Sequence, residues 1–228
     1  MCGRARLPAD YSEIKIQLKL SDLAPAPNWR PSWNIAPTQD ILAVVHDGDI
    51  GGRAARPTRW GLVPSWSKDA KPRYATFNAR AETVATSPAF RGAWKARRRC
   101  LIVTDGFYEW RKCDRQPYAI GRADGRLTVM AGLWETWRSP EGERIVSSTI
   151  VTTEANAMMR ELHDRMPVVL DDPDWPHWLG EVEEADAAEV QSLLRPCAPE
   201  LLTAWPVSKR VGNVRNNDPS LAERAGGA

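Results

Sequence analysis

Long apolar runs are missing from this sequence, and their absence excludes several classes of protein. No stretch of the 228 residues approaches the ~18 consecutive apolar residues that a membrane helix needs. The N-terminal residues contain no apolar stretch that resembles a secretory signal peptide, so nothing marks the chain for export. We therefore expect a cytoplasmic protein that is not secreted.

Cysteine is also scarce, and the few cysteines are widely spaced. Cys2, Cys100, Cys113 and Cys197 form no CxxC pair or similar metal-binding pattern. This spacing fits a reducing compartment and disfavours both a disulfide framework and a zinc site. We predict no metal site and no cofactor.

Phenylalanine and tyrosine are rare, with 3 and 4 residues, whereas tryptophan occurs 11 times. Charge is divided unevenly: residues 51–126 contain 17 Lys and Arg against 6 Asp and Glu, and residues 127–200 contain 5 against 15. Tryptophan between cations, as in RPTRWGLVPSWSKDAKPR, is typical of a surface for single-stranded nucleic acid. The same composition also fits buried tryptophans and charges that pair across the fold, so both interpretations stay open here.

Strand-like segments in long runs, with helix-like segments at the margins, predict one α+β domain. We expect a largely antiparallel, barrel-like sheet as the core and helices at its periphery. The domain is predicted to span residues 1–217. Residues 218–228, which end in AERAGGA, are predicted to form a disordered tail.

Local patterns predict individual elements along the chain. PADYSEIKIQLKL is predicted to be the first helix, and Ser87 with Pro88 is predicted to open a short helix that continues to Arg99. CLIVTDGFYEW is predicted to be one strand. Asp124 and Gly125 are predicted to form the turn of a β-hairpin.

Cys2 stands at the chain position that is usually the most frayed, which is a poor place for a structural cysteine. Removal of Met1 would leave a free α-amine, of reference pKa about 7.7–8.0, beside a thiol of reference pKa about 8.5. Such a 1,2-aminothiol reacts with an aldehyde to give first a Schiff base and then a five-membered thiazolidine. The alternatives are attack on an acyl group by an N-terminal nucleophile, or a second residue without function.

Three further polar residues are candidates for chemistry. Asn78 in ATFNARAET closes a long basic loop, Glu109 in DGFYEW is an acid among aromatic residues, and His163 in ELHDRMP stands at a predicted helix end. An acid in apolar surroundings is a candidate general acid. Each also has a structural interpretation, as a turn residue, a carboxylate on a strand surface and a helix cap. The residues alone leave the function open.

Seven segments of the chain occur in the order that they have in one protein family. The segments are MCGR, WNIAPTQ, RWGLVPSW, FNARAET, DGFYEW, ELHDRMPVVL and VGNVRN. They resemble the SRAP family ("SOS response-associated peptidase") over almost the whole chain. The resemblance implies a protein that senses abasic sites in single-stranded DNA and bonds to them through the N-terminal cysteine. The implied product is a thiazolidine DNA–protein crosslink that shields the lesion.

The resemblance also implies roles for individual residues. Cys2 would be the nucleophile, Asn78 would orient the substrate and the α-amine, Glu109 would move protons, and His163 would assist as acid or base, including in crosslink reversal. Some relatives have a second tryptophan where this chain has Ser67. The implied DNA-contacting or pocket-lining residues are Arg4, Asn34, Pro37, Trp66, Ser67, Arg80, Thr152, Arg165 and Asn213.

Two other functions remain compatible with the same residues. The family name suggests a cysteine peptidase, either general or limited to removal of its own Met1, with Cys2, His163 and Asn78 as its catalytic set. A noncovalent module for single-stranded DNA would use only the arginines and tryptophans. For the crosslinking function we expect single-stranded DNA with abasic sites as the partner, a monomeric protein and, in a bacterium, association with the nucleoid.

Overall fold

The computed structural model describes residues 2–71, 74–182 and 187–226, and over these ranges it contains twelve β-strands and five α-helices. The strands are β1 (Ala5–Leu7), β2 (Ser32–Ile35), β3 (Asp40–Asp47), β4 (Gly52–Trp60), β5 (Asn78–Arg80), β6 (Arg99–Thr104), β7 (Gly106–Trp110), β8 (Pro117–Arg122), β9 (Thr128–Arg138), β10 (Arg144–Glu154), β11 (Arg165–Pro167) and β12 (Leu202–Pro206). The helices are α1 (Tyr11–Leu18), α2 (Arg91–Lys95), α3 (Ala157–Arg160), α4 (Trp175–Leu179) and α5 (Ala187–Ser192). Within the described ranges, no helix is long and apolar enough to cross a membrane.

Five strands close into a barrel through the neighbour order β10, β4, β3, β6, β9 and back to β10. All of these pairings are antiparallel except that between β4 and β10. The short strands β5 and β11 extend the barrel by pairing with the far end of β10. The predicted α+β fold with a barrel-like, largely antiparallel core is therefore confirmed.

A second, wholly antiparallel sheet has the order β12, β8, β7, β1, β2 and covers one side of the barrel. Ala5, Phe107 and Ile120 of this sheet belong to the same buried apolar cluster as the barrel strands. Its other face is covered by the chain after β12, where Val211 and Leu221 pack with Tyr108 in a smaller core. The sheet is thus buried on both faces.

The predicted disordered tail is wrong for residues 218–226. Pro219–Ala222 forms a short 3-10 helix, and Leu221 in it is fully buried. The indole Nε1 of Trp205 donates to the carbonyl of Ala222 over 2.8 Å, and the Ala225 N–H donates to the carbonyl of Pro206 over 2.8 Å. Tertiary packing orders a segment whose composition alone suggested disorder, and residues 227–228 of the predicted tail lie outside the described residues.

The predicted single strand over residues 100–110 is in fact two strands in different sheets. β6 belongs to the barrel and β7 to the second sheet, with only Asp105 between them. A Cβ on Gly106 would lie 2.2 Å from the carbonyl oxygen of Ile120, so only glycine permits the close approach of β7 to β8 at this point. The sheet change carries Glu109 out of the barrel and beside the N-terminus.

The Asp124–Gly125 turn exists, with Gly125 at φ 73°, but it does not form a hairpin. β8 before the turn pairs with β7 and β12, whereas β9 after it pairs with β6 and β10. The local turn chemistry was therefore identified correctly, and the predicted strand partners were wrong.

The predicted helix from Ser87 to Arg99 is reduced to α2. The carbonyl of Ser87 accepts hydrogen bonds from the N–H groups of Phe90 and Arg91 in a turn, and the helix begins only at Arg91. Arg97 has a left-handed φ of 54°, which ends the helical path, and Arg99 already opens β6. By contrast the first helix is confirmed, because the Asp10 carboxylate caps α1 by accepting from the Glu13 N–H over 3.0 Å.

Candidate functional site

Cys2, the first described residue, is buried, in contrast to the residues near most chain termini. Cys2 is 1% exposed. The Tyr108 N–H donates to the carbonyl of Arg4 over 2.8 Å, and Ala5 then pairs with Phe107, so β7 holds the first residues as an added strand end. The main-chain pairing places Cys2 at the end of a fixed strand.

Asn78 fixes the main chain of Cys2. Its side-chain Nδ2 donates to the carbonyl oxygen of Cys2 over 2.7 Å. Asn78 begins β5, which is held against β10 by pairing with Ile150. The Oδ1 atom of Asn78 is buried and accepts no hydrogen bond from the described residues. This amide therefore presents a buried acceptor beside the N-terminal residue.

The thiol of Cys2 is held in its protonated form. Burial raises the pKa of this thiol well above its usual value, and the negative charge of Glu109 raises the pKa further. A thiol in this environment is not a ready nucleophile at neutral pH, because the thiolate is the reactive form. Any reaction at sulfur therefore needs a group that takes its proton.

Glu109 on β7 is the acid whose charge acts on both the Cys2 thiol and the His163 ring. Its side chain is buried, and its Oε1 accepts from the Trp110 N–H over 3.2 Å. Its charge raises the pKa of the Cys2 thiol and opposes the lowering of the pKa of His163. The four predicted catalytic residues are thus brought together from the segment before β1, from β5, from β7 and from the segment before β11.

His163 lies between α3 and β11 with a defined tautomer. Its Nδ1 accepts a hydrogen bond from the Arg165 N–H over 3.0 Å, so the proton of the neutral ring is on Nε2. Burial lowers the pKa of His163, which favours the neutral ring at physiological pH. A neutral imidazole of this tautomer can donate a hydrogen bond through Nε2. During a reaction it can give up that proton and later take one back.

Arg165 is held by an acid that the sequence did not single out. Its guanidinium contacts both carboxylate oxygens of Glu82, at 2.5 and 2.9 Å, and donates to the carbonyl of Thr152 over 2.6 Å. Thr152 is fully buried and donates to the carbonyl of Ala79 over 3.3 Å. Arg80 lies opposite Thr152 in the β5–β10 register and is exposed. Of these predicted DNA contacts, Arg80 alone presents an exposed side chain.

Arg4, Asn34 and Asn213 form a separate cluster behind β1. The Arg4 guanidinium donates to the Asn34 side-chain oxygen over 2.9 Å and lies 5.7 Å from the ring centre of Trp110. Asn34 is buried, and its Nδ2 donates to the carbonyl of Asn213 over 3.1 Å. Asn34 therefore supports Arg4 and the segment that contains Asn213, and the guanidinium of Arg4 is the charged group of this cluster.

Trp66 and Tyr74 are the two most exposed aromatic side chains of the described residues, at 67% and 83%. They line a cavity of about 400 Å³ together with Lys68 and Lys71. We call these four residues the aromatic rim. Lys68, Lys71 and Tyr74 were missed as individual site residues, although the two lysines lie in the Trp- and cation-rich segment that was noted and Tyr74 directly follows it.

The other two predicted contacts lie beside the aromatic rim. Ser67 keeps its loop in place, because its hydroxyl donates to the carbonyl of Asp69 over 2.9 Å and its own carbonyl accepts from Trp137 Nε1 over 2.8 Å. Pro37 lines a neighbouring cavity of about 190 Å³ that also includes Tyr74. Among the described residues, no group of three or more His, Cys, Asp or Glu could hold a metal ion.

Comparisons with known proteins converge on one family. The family model described as "SOS response associated peptidase (SRAP)" matches residues 1–214. The Abasic site processing protein YoqW of Bacillus subtilis is 39% identical over 98% of this chain and 99% of its own length. The Abasic site processing protein HMCES of Rattus norvegicus is 33% identical over 96% of this chain and 74% of its own length.

Solved structures show the same fold. An X-ray structure of a Bordetella bronchiseptica protein superposes with a TM-score of 0.78 at 27% identity, covering 91% of this chain and all of the other. A Bacteroides thetaiotaomicron structure gives a TM-score of 0.77 at 23% identity over 98% of this chain and all of the other, which supports the fold alone.

Proposed function

Since the chain belongs to the SRAP family, we propose that it processes abasic sites in DNA by forming a covalent crosslink through Cys2. The names of its relatives specify abasic site processing, and they support the choice of lesion. The observation that carries the proposal is the buried N-terminal cysteine, whose carbonyl is held by Asn78 at 2.7 Å and whose thiol pKa responds to Glu109.

The first step requires that Met1 is hydrolysed from the chain, which leaves a primary α-amine on Cys2. The ring-opened abasic sugar presents an aldehyde, and the amine adds to its carbonyl carbon. Loss of water from the resulting carbinolamine gives a Schiff base. Glu109 is the acid that gives a proton to the departing oxygen.

The second step closes the ring. The Cys2 sulfur attacks the carbon of the Schiff base, the carbon–nitrogen double bond becomes single, and the thiol proton goes to nitrogen. The product is a thiazolidine, and no oxidant or reductant is consumed. Because burial raises the pKa of the thiol, we propose that the amine reacts first and that the carboxylate of Glu109 or the neutral ring of His163 then accepts the thiol proton.

Two side chains orient these steps. The buried Oδ1 of Asn78, which accepts nothing from the described residues, is suited to accept a hydrogen bond from the α-amine that Met1 removal creates. His163, with its proton on Nε2, is suited to donate to the sugar or to the carbinolamine oxygen. The same groups would return protons during crosslink reversal.

We further propose that the aromatic rim and Arg80 hold the DNA strand, which we take to be single-stranded. Exposed rings stack on bases, and lysine or arginine side chains contact phosphates. An abasic nucleotide lacks a stacked base, so drawing it into a pocket costs less than flipping a paired nucleotide. We propose that the protein acts on this substrate as a monomer.

A general cysteine peptidase is the less favoured enzyme class. Cysteine peptidases activate their nucleophile by lowering the pKa of the thiol, whereas burial raises the pKa of Cys2 in this protein. Hydrolysis limited to the Met1–Cys2 bond stays compatible with the proposal, since that bond must be cleaved to expose the α-amine.

The decisive experiment incubates the mature protein with a single-stranded oligonucleotide that carries one abasic site, followed by a heated denaturing gel. We expect a heat-stable adduct that requires the abasic site. Cys2→Ser should retain a Schiff base that borohydride traps but should lose the heat-stable adduct, and Cys113→Ser, at an exposed cysteine, should leave it unchanged. A heat-stable adduct in Cys2→Ser would refute the thiazolidine, and a noncovalent module would give no adduct with any variant.

A further inference from the structure

A basic groove lies beside α2, away from Cys2 and the three predicted catalytic residues around it. Its volume is about 690 Å³, and its lining includes the cations Arg91, Lys95, Arg97 and Arg99. Among the described residues, the remainder of the lining is Ala85, Gly92, Trp94, Ala187 and Val190, none of which is acidic. Residues 183–186, which precede Ala187, lie outside the described ranges.

Several other arginines of the chain are neutralised by acids, and these four cations are not paired in that way by any described residue. Arg53 pairs with Glu181, Arg122 with Asp124, and Arg98, inside the same arginine run, pairs with Glu135. Arg91, Lys95, Arg97 and Arg99 take part in no ion pair across residues 2–71, 74–182 and 187–226. Within the described residues, no ion pair therefore engages these four cations, which leaves them available to an external anion.

Arg99 is fixed in place by rings instead of acids. Its guanidinium lies 5.9 Å from the ring centre of Trp94 and 5.8 Å from that of Trp178, and it donates to the carbonyl of Trp178 over 3.2 Å. Its Nε is buried without a hydrogen-bond partner within the described residues. Burial, and then the charge of Arg97, lowers the pKa of Arg99, which reflects the cost of holding this cation.

The groove and the cavity of the aromatic rim share one chain segment as a wall. Trp66 Nε1 donates to the carbonyl of Pro88 over 3.3 Å, and Ala89 lines the rim cavity. Ala85 and Arg91, at either end of the same segment, line the groove. A strand that leaves Trp66 along this segment therefore reaches Arg91 and Lys95, which are one helical turn apart on α2.

We propose that this groove binds the phosphodiester backbone of the DNA strand that flanks the lesion. The proposal rests on the proposed function for the identity of the polymer, but the groove needs no covalent chemistry. Phosphates suit it because arginine and lysine neutralise them and because the described lining of the groove contains four cations and no acid.

The test compares Arg91→Gln/Lys95→Gln with the control Lys19→Gln/Arg224→Gln, which removes two exposed cations elsewhere. Noncovalent binding to intact single strands of about 6 and about 20 nucleotides is measured over a range of salt concentration. For the longer strand we expect weaker binding and a slope of log affinity against log salt that is shallower by about 1.4, at ~0.7 per lost contact. The shorter strand, and the control on both strands, should be unchanged.

The groove proposal is overturned if the salt slope of Arg91→Gln/Lys95→Gln on the longer strand is unchanged, or if the control variant loses as much binding. The groove proposal is also overturned if Arg91→Gln/Lys95→Gln weakens binding to an acidic peptide or to anionic vesicles while its binding to DNA is unchanged. The two proposals fail separately. If the unaltered protein forms the adduct but the salt slope of Arg91→Gln/Lys95→Gln is unchanged, the groove proposal is wrong and the crosslink proposal stands. If no adduct forms but the slope becomes shallower, the crosslink proposal is wrong and the groove proposal stands.

Discussion

The surroundings of Cys2 and the aromatic rim are opposite in almost every physical respect. Cys2 and Glu109 are buried, and the Cys2 carbonyl, the Glu109 carboxylate and the ring of His163 each have a hydrogen bond from a named partner. Trp66 and Tyr74 are largely exposed, and the lysines beside them take part in no ion pair with described residues. Proton transfer and imine chemistry need fixed groups and excluded water, whereas a polymer needs accessible rings and charges. Changes near Cys2 should therefore alter rates, and changes at the rim should alter affinity.

The largest effect is expected from Glu109→Gln, which removes the acid of the Cys2 site without changing its size. We expect the rate of adduct formation at saturating DNA to fall by roughly 10²–10⁴-fold, the usual contribution of a positioned acid or base. Rapid-quench kinetics with an abasic strand would measure the rate. Affinity for an intact strand should not change, and an unaltered adduct rate would remove Glu109 from the mechanism.

Gly106→Ala tests the buried surroundings of Cys2, because it displaces the backbone of β7. A Cβ at this position would be 2.2 Å from the Ile120 carbonyl oxygen, so β7 must move, and we expect a loss of about 3 kcal/mol in the free energy of unfolding. Urea denaturation would measure it. Gly92→Ala on α2 is the matched control, since nothing lies within 4 Å of its Cβ, and it should stabilise the fold slightly. Equal stability of both variants would contradict the tight approach of β7 to β8.

Trp66→Ala tests the exposed side. The loss of one stacked base is worth roughly 1–3 kcal/mol, or about fivefold to 150-fold in affinity. Fluorescence anisotropy with an intact strand would detect this, while the adduct rate at saturating DNA should stay unchanged. Ile16→Ala removes an apolar side chain from α1 that is even more exposed, and it should have no effect. A slower saturated rate in Trp66→Ala would erase the distinction between rim and pocket.

The smallest effect concerns Asp105, the residue between the two sheets. Burial raises its pKa to about 6, above the usual 3.8, with Arg6 opposing the shift. A folded-state pKa above the unfolded value means that the group favours folding at low pH and that this contribution is lost as the pH rises through 6. Asp105→Asn should therefore raise the melting temperature at pH 7.5 and not below pH 4. The same increase at both pH values would show that the charge is not the cause.

The fold class could be predicted from the sequence because it depends on many strand-like segments, and each segment has a local pattern. The partners of those strands depended on single contacts: the close approach at Gly106 moves β7 into the second sheet, and Leu221 orders the C-terminal segment against Tyr108. Neither contact has a local signal.

For the site, the residues of the motifs were identifiable and their partners were not. Cys2 and Asn78 meet across 76 residues of chain, and Glu82 reaches Arg165 across 83. The 1,2-aminothiol idea followed from chemistry alone, but the proximity of Asn78 and Glu109 to it required either the family resemblance or the fold. The cations beside α2 have no ion pair within the described residues, and this became recognisable only when the arginines that do have acidic partners were known.

The central claim is that the α-amine and the thiol of Cys2 act together. The most direct test keeps the thiol and displaces the amine, with a chain that carries one additional glycine ahead of Cys2 and is otherwise unchanged. Intact-mass analysis after incubation with an abasic strand should show, for the mature chain, the sum of protein and DNA less one water. For the extended chain, whose binding to an intact strand should be normal, no heat-stable adduct should form. A heat-stable adduct of the extended chain would contradict the account.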